Sequence, residues 1–249
     1  MPITLSVKDR IAEILFDHPP VNAFNTEMWC SLPGLIHEAG SDPEVRCVLI
    51  RAEGKGFCGG VDIKEMQAHP ELIVELNRGN FETFKAIRDC EIPVIAAVHG
   101  FVIGGGVNIA GACDAVIAAE GAYLSLSEID RGAMGGAAFM TRMLPVQKVR
   151  ANFFTGGKIS VEDLHRHGSV EKVVPREQLR DEAYAFCEII AGKSRTALRI
   201  AKQALNLIEP WNPSDMYRIE QGFTLEMYAH EDSQKARDAF VAGKGTAKF

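Results

Sequence analysis

Residues 94–108 read VIAAVHGFVIGGGVN. The first five are apolar and largely β-branched, which is the composition of a strand buried on both faces. A short Gly-punctuated connection follows, and Gly104-Gly105-Gly106 open what reads as a helix. Glycines at a helix start leave backbone N–H groups uncovered, so a ligand oxygen can approach them closely. Such turns also serve simply to join strands to helices. A second stretch with the same grammar decides for a site.

That stretch is VLIRAEGKGFCGGVDIKEM, residues 48–66. Val48, Leu49 and Ile50 give a short buried strand, Gly54 and Gly56 break it, and Gly59-Gly60 precede an amphipathic start at Val61. Two glycine-opened helix starts can each give one N–H to a single charged oxygen, as in an oxyanion hole. Each rigid donor of this kind contributes roughly 3 kcal/mol to a transition state. Neither stretch has the spacing of a P-loop or of a dinucleotide fingerprint, which disfavours nucleoside triphosphates and NAD.

Composition bounds the rest. The 249 residues are 47% hydrophobic, enough for a large core in one domain, with or without a small appendage. The net charge of −6 and the absence of a basic stripe argue against nucleic acid as a partner. The opening MPITLSVKDR lacks a signal peptide's apolar core, and no later run is long enough to cross a membrane, so a cytoplasmic protein is expected. Six cysteines (Cys30, Cys47, Cys58, Cys90, Cys113 and Cys187) show no C-x-x-C spacing and read as reduced thiols. Cys58, beside the glycines, has no sequence feature that would stabilise its thiolate and reads as a packing residue. His165 and His167 lack a metal-ligand set, and no metal is expected.

Strand and helix alternate along the chain. Strands are expected at 11–16, 46–51, 93–98, 115–119, 123–126 and 170–174. Helices are expected after Thr26 as cap, with a kink or late start at Pro33-Gly34, and at 72–89, after the glycine triplet, 137–144 and 148–154. From Glu177 the pattern is helical, with segments at 180–191, 196–208 and 217–228, and the GKGTAK stretch at 243–248 reads as a frayed tail. The alternation implies an α/β fold with largely parallel pairing. A core over 1–192 and a helical lid or assembly region over 193–249 are expected.

The motifs PPVNAF (19–24), GKGFCGGVDIKEM (54–66) and PVIAAVHGFVIGGGVNIAGACDAVIAAEGAYLSLSEIDRGAMGG (93–136) resemble those of the crotonase, or enoyl-CoA hydratase/isomerase, superfamily. The resemblance spans essentially the whole chain. It implies a spiral of ββα turns with a C-terminal helical region, a homotrimer or dimer of trimers, and an acyl-CoA substrate with no cofactor beyond its CoA moiety. It also implies a thioester oxygen held by the N–H groups of Val61 and Gly105, with CoA running past Val21, Asn22, Ala23, Asp62 and Ile63. Asp62 itself reads as a helix cap.

Hydratases of this family carry two glutamates, at positions that correspond here to Asn108 and Glu128. One carboxylate is therefore missing, and asparagine cannot exchange a proton at neutral pH. Stretches such as NRGNF (77–81), YRIEQGFT (217–224) and RDAF (237–240) resemble the crotonase-family hydrolases of steroid degradation, which open a ring of a CoA thioester. That resemblance implies a cyclic β-dicarbonyl substrate bearing a carboxylate, with Glu128 as the single base. The alternatives are an ordinary enoyl-CoA hydratase or isomerase and a non-catalytic acyl-CoA-binding subunit.

Arg131, three residues after Glu128, has the chemistry to pair with a substrate carboxylate or, equally, to be tied to Asp130 or a neighbouring subunit. Arg78 is a second-rank substrate contact. Tyr217, Glu220 and Gln221 share that rank, and for all four the surface is the favoured place. His99 reads as a hydrogen-bonded turn residue rather than a second proton carrier, and Ser125 and Ser127 have no assured histidine partner.

Overall fold

The strand–glycine–helix grammar repeats in space. The computed structural model describes residues 2–245 and 247. A hairpin of β1 (Ile3–Lys8) and β2 (Ile11–Phe16) leads into β3 (Ala23–Phe24) and α1 (Thr26–Ser41). The next turn is β4 (Cys47–Ala52), β5 (Gly60–Val61), α2 (Ile63–Ala68) and α3 (Ile73–Asp89). It is followed by β6 (Val94–Val98), β7 (Phe101–Ile103) and α4 (Gly105–Ala112). The fourth turn runs through β8 (Ala115–Ala119), β9 (Tyr123–Ser125), a 3-10 turn at Glu128–Arg131, α5 (Ala137–Met140) and α6 (Val146–Thr155). After β10 (Lys158–Ser160), α7 (Val161–Arg166) and β11 (Lys172–Val174) come four helices: α8 (Leu179–Ala191), α9 (Arg195–Ile208), α10 (Pro213–Tyr228) and α11 (Glu231–Val241).

Each turn sends its first strand to one sheet and its second to another. The main sheet has the order β1-β2-β4-β6-β8-β11, parallel except for the β1–β2 hairpin. The second strands form the pairs β3–β5 and β7–β9, with β10 antiparallel to β9, and a bridge from Cys58 to Val102 links the two groups. This is the expected ββα spiral.

Burial explains the apolar runs. On one face of the main sheet Leu49, Ile95, Ala97 and Ile117 pack under Leu179, Ala183 and Cys187 of α8. On the other, Val48, Ile50, Val94, Ala96 and Val98 join Trp29, Leu32, Phe84 and Ile87 of α1 and α3. Strand β6, covered on both sides, carries no polar residue at all.

Several local expectations are corrected. β1 and β7 are strands, the latter in the stretch expected to be a mere connection. The helix at 137 ends at Met140, and α11 is a separate helix within the helical end. Part of the 243–248 stretch, Thr246 and Lys248, lies outside the described residues. The cap of α1 is Asn25, whose side chain accepts from the Met28 N–H at 2.9 Å. Thr26 instead gives its N–H and hydroxyl to Glu65 of α2, at 2.7 and 2.8 Å.

α1 also continues as helix across Pro33, with no late start there. A proline there has no N–H for the carbonyl of Trp29, four residues back. That carbonyl is satisfied from another helix, by the hydroxyl of buried Thr83 at 3.1 Å. Thr83→Val is therefore expected to leave a buried carbonyl unpaired and to cost about 1–3 kcal/mol. A thermal melt reads this as a fall in Tm of roughly 2–10 °C; an unchanged Tm would refute the compensation.

Candidate active site

The two glycine entries meet. Gly60 and Gly104 lie side by side, so that a methyl group placed on either would come within 3.8 Å of the other's Cα. Each glycine of the triplet is required by a close neighbour. A methyl group on Gly104 would lie 2.6 Å from Glu128 Oε1, on Gly105 2.6 Å from the Trp29 ring, and on Gly106 2.8 Å from Cys58 Cβ. Gly104 also has φ +55°, a conformation that side chains disfavour.

Two N–H groups are left over by this arrangement. In β5 the Asp62 N–H donates to Phe24 O at 2.8 Å, and N–H directions alternate along a strand, so that of Val61 points away from β3. In α4 the first N–H groups with helical partners are those of Val107 and Asn108, both bonded to Gly104 O, which leaves Gly105 at the open end. Val61 and Gly105 both line a cavity of about 440 Å³.

Glu128 and Asn108 line the same cavity. Glu128 Oε2 and Asn108 Oδ1 are buried with no hydrogen-bond partner among the described residues, a costly state unless something from the cavity supplies a donor. Burial pushes the Glu128 carboxyl up to about 8; its own backbone N–H and the charge of Arg131 oppose this, and Glu220 adds to it. A carboxyl tuned near neutrality is suited to taking and returning a proton.

Val21, Ala23, Asp62, Ile63 and Arg131 also line the cavity. Asp62 caps α2 through Lys64 N and Glu65 N, as expected. Arg131 donates to the Ser127 hydroxyl and stacks 4.8 Å from the Phe240 ring centre, not onto Asp130. Asn22 and Arg78 are not among the lining residues. Asn22 is buried at φ +52°, and its side chain accepts from His18 N and donates to Glu53 O and Gly56 O, so it builds the loop that carries the cavity wall. Arg78 is exposed and pairs with Glu75 at 3.6 Å, because its face of α3 points to solvent.

Three helical residues expected at the surface face inward. Tyr217 and Gln221 are buried, and Glu220 accepts the N–H groups of Gly136, Ala137 and Ala138 at 3.0–3.3 Å. Ser214, Tyr217, Gln221 and Thr224 follow one another at helical spacing, which is the signal in the sequence for this polar inner stripe. The apolar Met216, Ile219, Phe223 and Leu225 of α10 are exposed instead.

His99 does not line the cavity; its Nε2 lies 3.0 Å from Gly54 O, and burial pulls it down to about 4. The Cys58 thiol is pushed by burial up to about 12, consistent with a packing residue. Among the described residues, no group of three or more His, Cys, Asp and Glu side chains is arranged to hold a metal, and no helix is long and apolar enough to cross a membrane.

Known proteins resemble this chain over nearly all of its length. A hydrolase of Mycobacterium tuberculosis acting on (7aS)-7a-methyl-1,5-dioxo-2,3,5,6,7,7a-hexahydro-1H-indene-carboxyl-CoA is 41% identical, over 97% of this chain and 99% of its own length. The Rhodococcus jostii protein of the same name is also 41% identical, over 94% and 91%. An enoyl-CoA hydratase structure from Mycobacterium avium subsp. paratuberculosis shares the fold with a TM-score of 0.87 at 21% identity, covering 96% and 98% of the two chains. A carnitinyl-CoA hydratase structure from Mycobacterium avium has a TM-score of 0.84 at 26% identity, covering 100% and 98%. The family model described as enoyl-CoA hydratase/isomerase matches residues 6–249, which include both glycine entries and Glu128, and the chain belongs to that family.

Proposed function

We propose that this chain is a ring-opening C–C hydrolase that acts on a cyclic β-dicarbonyl CoA thioester, in steroid catabolism. The observation that carries the reading is a buried carboxyl without a hydrogen-bond partner among the described residues, Glu128, which lines one cavity with Asn108 and with two uncommitted backbone N–H groups. The names of the two relatives at 41% identity support the same reaction type.

The chemistry needs one base. Ionised Glu128 takes a proton from water, which Asn108 Oδ1 helps to hold by accepting its second hydrogen. The hydroxide adds to a ring ketone, and the resulting alkoxide collapses to a carboxylic acid as the ring C–C bond breaks. The electron pair of that bond delocalises onto the thioester oxygen, where the N–H groups of Val61 and Gly105 stabilise it. Protonated Glu128 returns its proton to carbon, the acid loses its own to solvent, and CoA stays attached.

The CoA chain is assigned to the wall formed by Val21, Ala23, Asp62 and Ile63. Six free cysteines fit a cytoplasmic location. The division at 192/193 follows the end of α8, and the regions beyond it are assigned to assembly and to covering the site. α9 buries only Lys202, and Leu205, Leu207, Ile208 and Trp211 expose an apolar face suited to a homotrimer or a dimer of trimers.

Incubation with crotonyl-CoA, a 3-enoyl-CoA and a cyclic β-dicarbonyl CoA thioester tests the reading by product mass. The expected result is one water added to the cyclic ester, with a free acid formed. Preferred hydration of crotonyl-CoA, or isomerisation of the 3-enoyl ester without change of mass, would replace the reading with one of the ordinary family reactions. Binding without any turnover would indicate a non-catalytic subunit.

A further inference from the structure

Arg237 is a buried cation of an unusual kind in this protein. It is only 4% exposed, on α11, and lines the same cavity as Glu128. Arg88 is equally buried but pairs with Glu209, and buried Lys202 pairs with Asp114 at 2.8 Å. Among the described residues, the arginines in ion pairs are Arg51, Arg78, Arg88, Arg142, Arg166 and Arg195. Arg237 has instead the Ser233 hydroxyl, Gln234 Oε1 at 2.8 Å and the Tyr228 ring, whose centre is 4.2 Å away. All three are neutral. A guanidinium withdrawn from water without an anion is costly, so a cavity beside it is the place to look for the missing charge.

Arg131 converges on the same region. Ser233, which receives the Arg237 hydrogen bond, donates to Gly132 O, and Phe240, one turn along α11 from Arg237, lies under the Arg131 guanidinium. Arg131 likewise has only neutral partners, the hydroxyl and carbonyl of Ser127. Two cations from different elements thus share one wall of the cavity, and no described carboxylate pairs with either.

We propose that Arg131 and Arg237 form an anion subsite that receives the carboxylate created by ring opening, and the alkoxide that precedes it. This rests on the ring-hydrolysis reading above. The reaction places negative charge on two oxygens in turn. The thioester oxygen is served by Val61 and Gly105, whereas the oxygen of the attacked ketone becomes an alkoxide and then a carboxylate and needs donors of its own. The names of the two hydrolases specify two oxo groups and a carboxyl already esterified to CoA. The anion for the arginines is then made in the site rather than brought by the substrate, which revises the expectation for Arg131. The planar guanidinium donors suit both oxygens of that product.

Binding of three ligands distinguishes the sources of negative charge: the ring-opened acid still esterified to CoA, its neutral methyl ester, and CoA alone, which brings the phosphates. The wild-type protein is expected to bind the acid more tightly than the methyl ester. Arg237→Gln should weaken the acid by about 10–100-fold and lower kcat, with the methyl ester and CoA unaffected and Arg237→Lys restoring part of the loss. Arg131→Gln, on the half-buried 3-10 turn, supplies the same comparison if Arg237→Gln does not fold. Equal weakening of CoA would assign the arginines to its phosphates, and unchanged affinity for the acid in folded variants would remove the subsite; either result overturns the proposal. Calorimetric binding needs no turnover, so failure of the wild-type protein to open any ring counts against the hydrolase reading separately.

Discussion

Glu128→Gln is expected to reduce ring hydrolysis by about 10²–10⁴-fold while the protein still binds the CoA thioester. Glutamine keeps the size of the side chain and removes its ability to take a proton from water. The variant should also melt at a higher temperature than the wild type in alkaline buffer. Burial holds the Glu128 carboxyl at about 8 in the folded protein, far above its value in an unfolded chain. The native state therefore binds this proton more tightly, its contribution to stability is greatest below the unfolded value, and it is lost as pH rises through about 8. Above that pH the folded protein carries a buried, desolvated carboxylate, at a cost on the order of 5 kcal/mol. Glutamine carries no such charge, and a rise in Tm of roughly 5 °C or more is expected there. The same ionisation shapes the rate: wild-type kcat/KM should climb about tenfold per pH unit below pH 8 and level off above it. A variant that retains turnover, or a wild-type profile flat between pH 6 and 9, would remove Glu128 as the base.

Gly104→Ala is the second change with a large expected effect. The added methyl group would sit 2.6 Å from Glu128 Oε1, and the backbone at φ +55° would be strained by any Cβ. The strain alone costs roughly 1–2 kcal/mol of stability. Relief of the clash must move either the carboxylate or the first turn of α4, which carries the Gly105 N–H. Both are reacting positions in the proposed mechanism, and losing one oxyanion donor alone costs about 10²–10³ in kcat. The expected outcome is a folded protein with kcat down by at least about 10²-fold and a much smaller change in KM. An alanine variant with wild-type kcat would show that the two glycine entries do not form the reacting cradle.

The fold was legible because each turn of the spiral repeats one sequence grammar, and the polar stripe of α10 shows where that legibility stops. An apolar strand, a glycine break and a helix start recur at 48–66 and 94–112, and those stretches are also where the cavity is built. β7, three residues long, was hidden because Phe101–Ile103 lies between glycines and has no room for a periodic pattern. β1 carries the alternation Ile3, Leu5, Val7, yet only Ile3 is buried, so little of its signal comes from the core. The continuation of α1 across Pro33 draws on Thr83, fifty residues away, and no local rule contains that contact. α10 turns Tyr217, Gln221 and Thr224 inward, two of them onto the cavity wall, while Ile219 and Phe223 remain outside. Judging burial by polarity inverts such a helix. Asn22 fails for the opposite reason: it lies between two cavity-lining neighbours, Val21 and Ala23, but its left-handed backbone turns the side chain into the loop. Arg237 could not be singled out by residue type, since only its burial without a counter-ion distinguishes it from the chain's other arginines.

The most direct test of the account follows oxygen from water into product. A cyclic β-dicarbonyl CoA thioester is incubated with the protein in ¹⁸O-labelled water, and the product is fragmented in the mass spectrometer. Attack on the ring ketone predicts one labelled oxygen in the new free carboxyl group, an unlabelled thioester carbonyl, and CoA still attached. Label in an acid released together with free CoA would show thioester hydrolysis, and label in a hydroxyl group on an intact ring would show hydration; either result would contradict ring opening at Glu128.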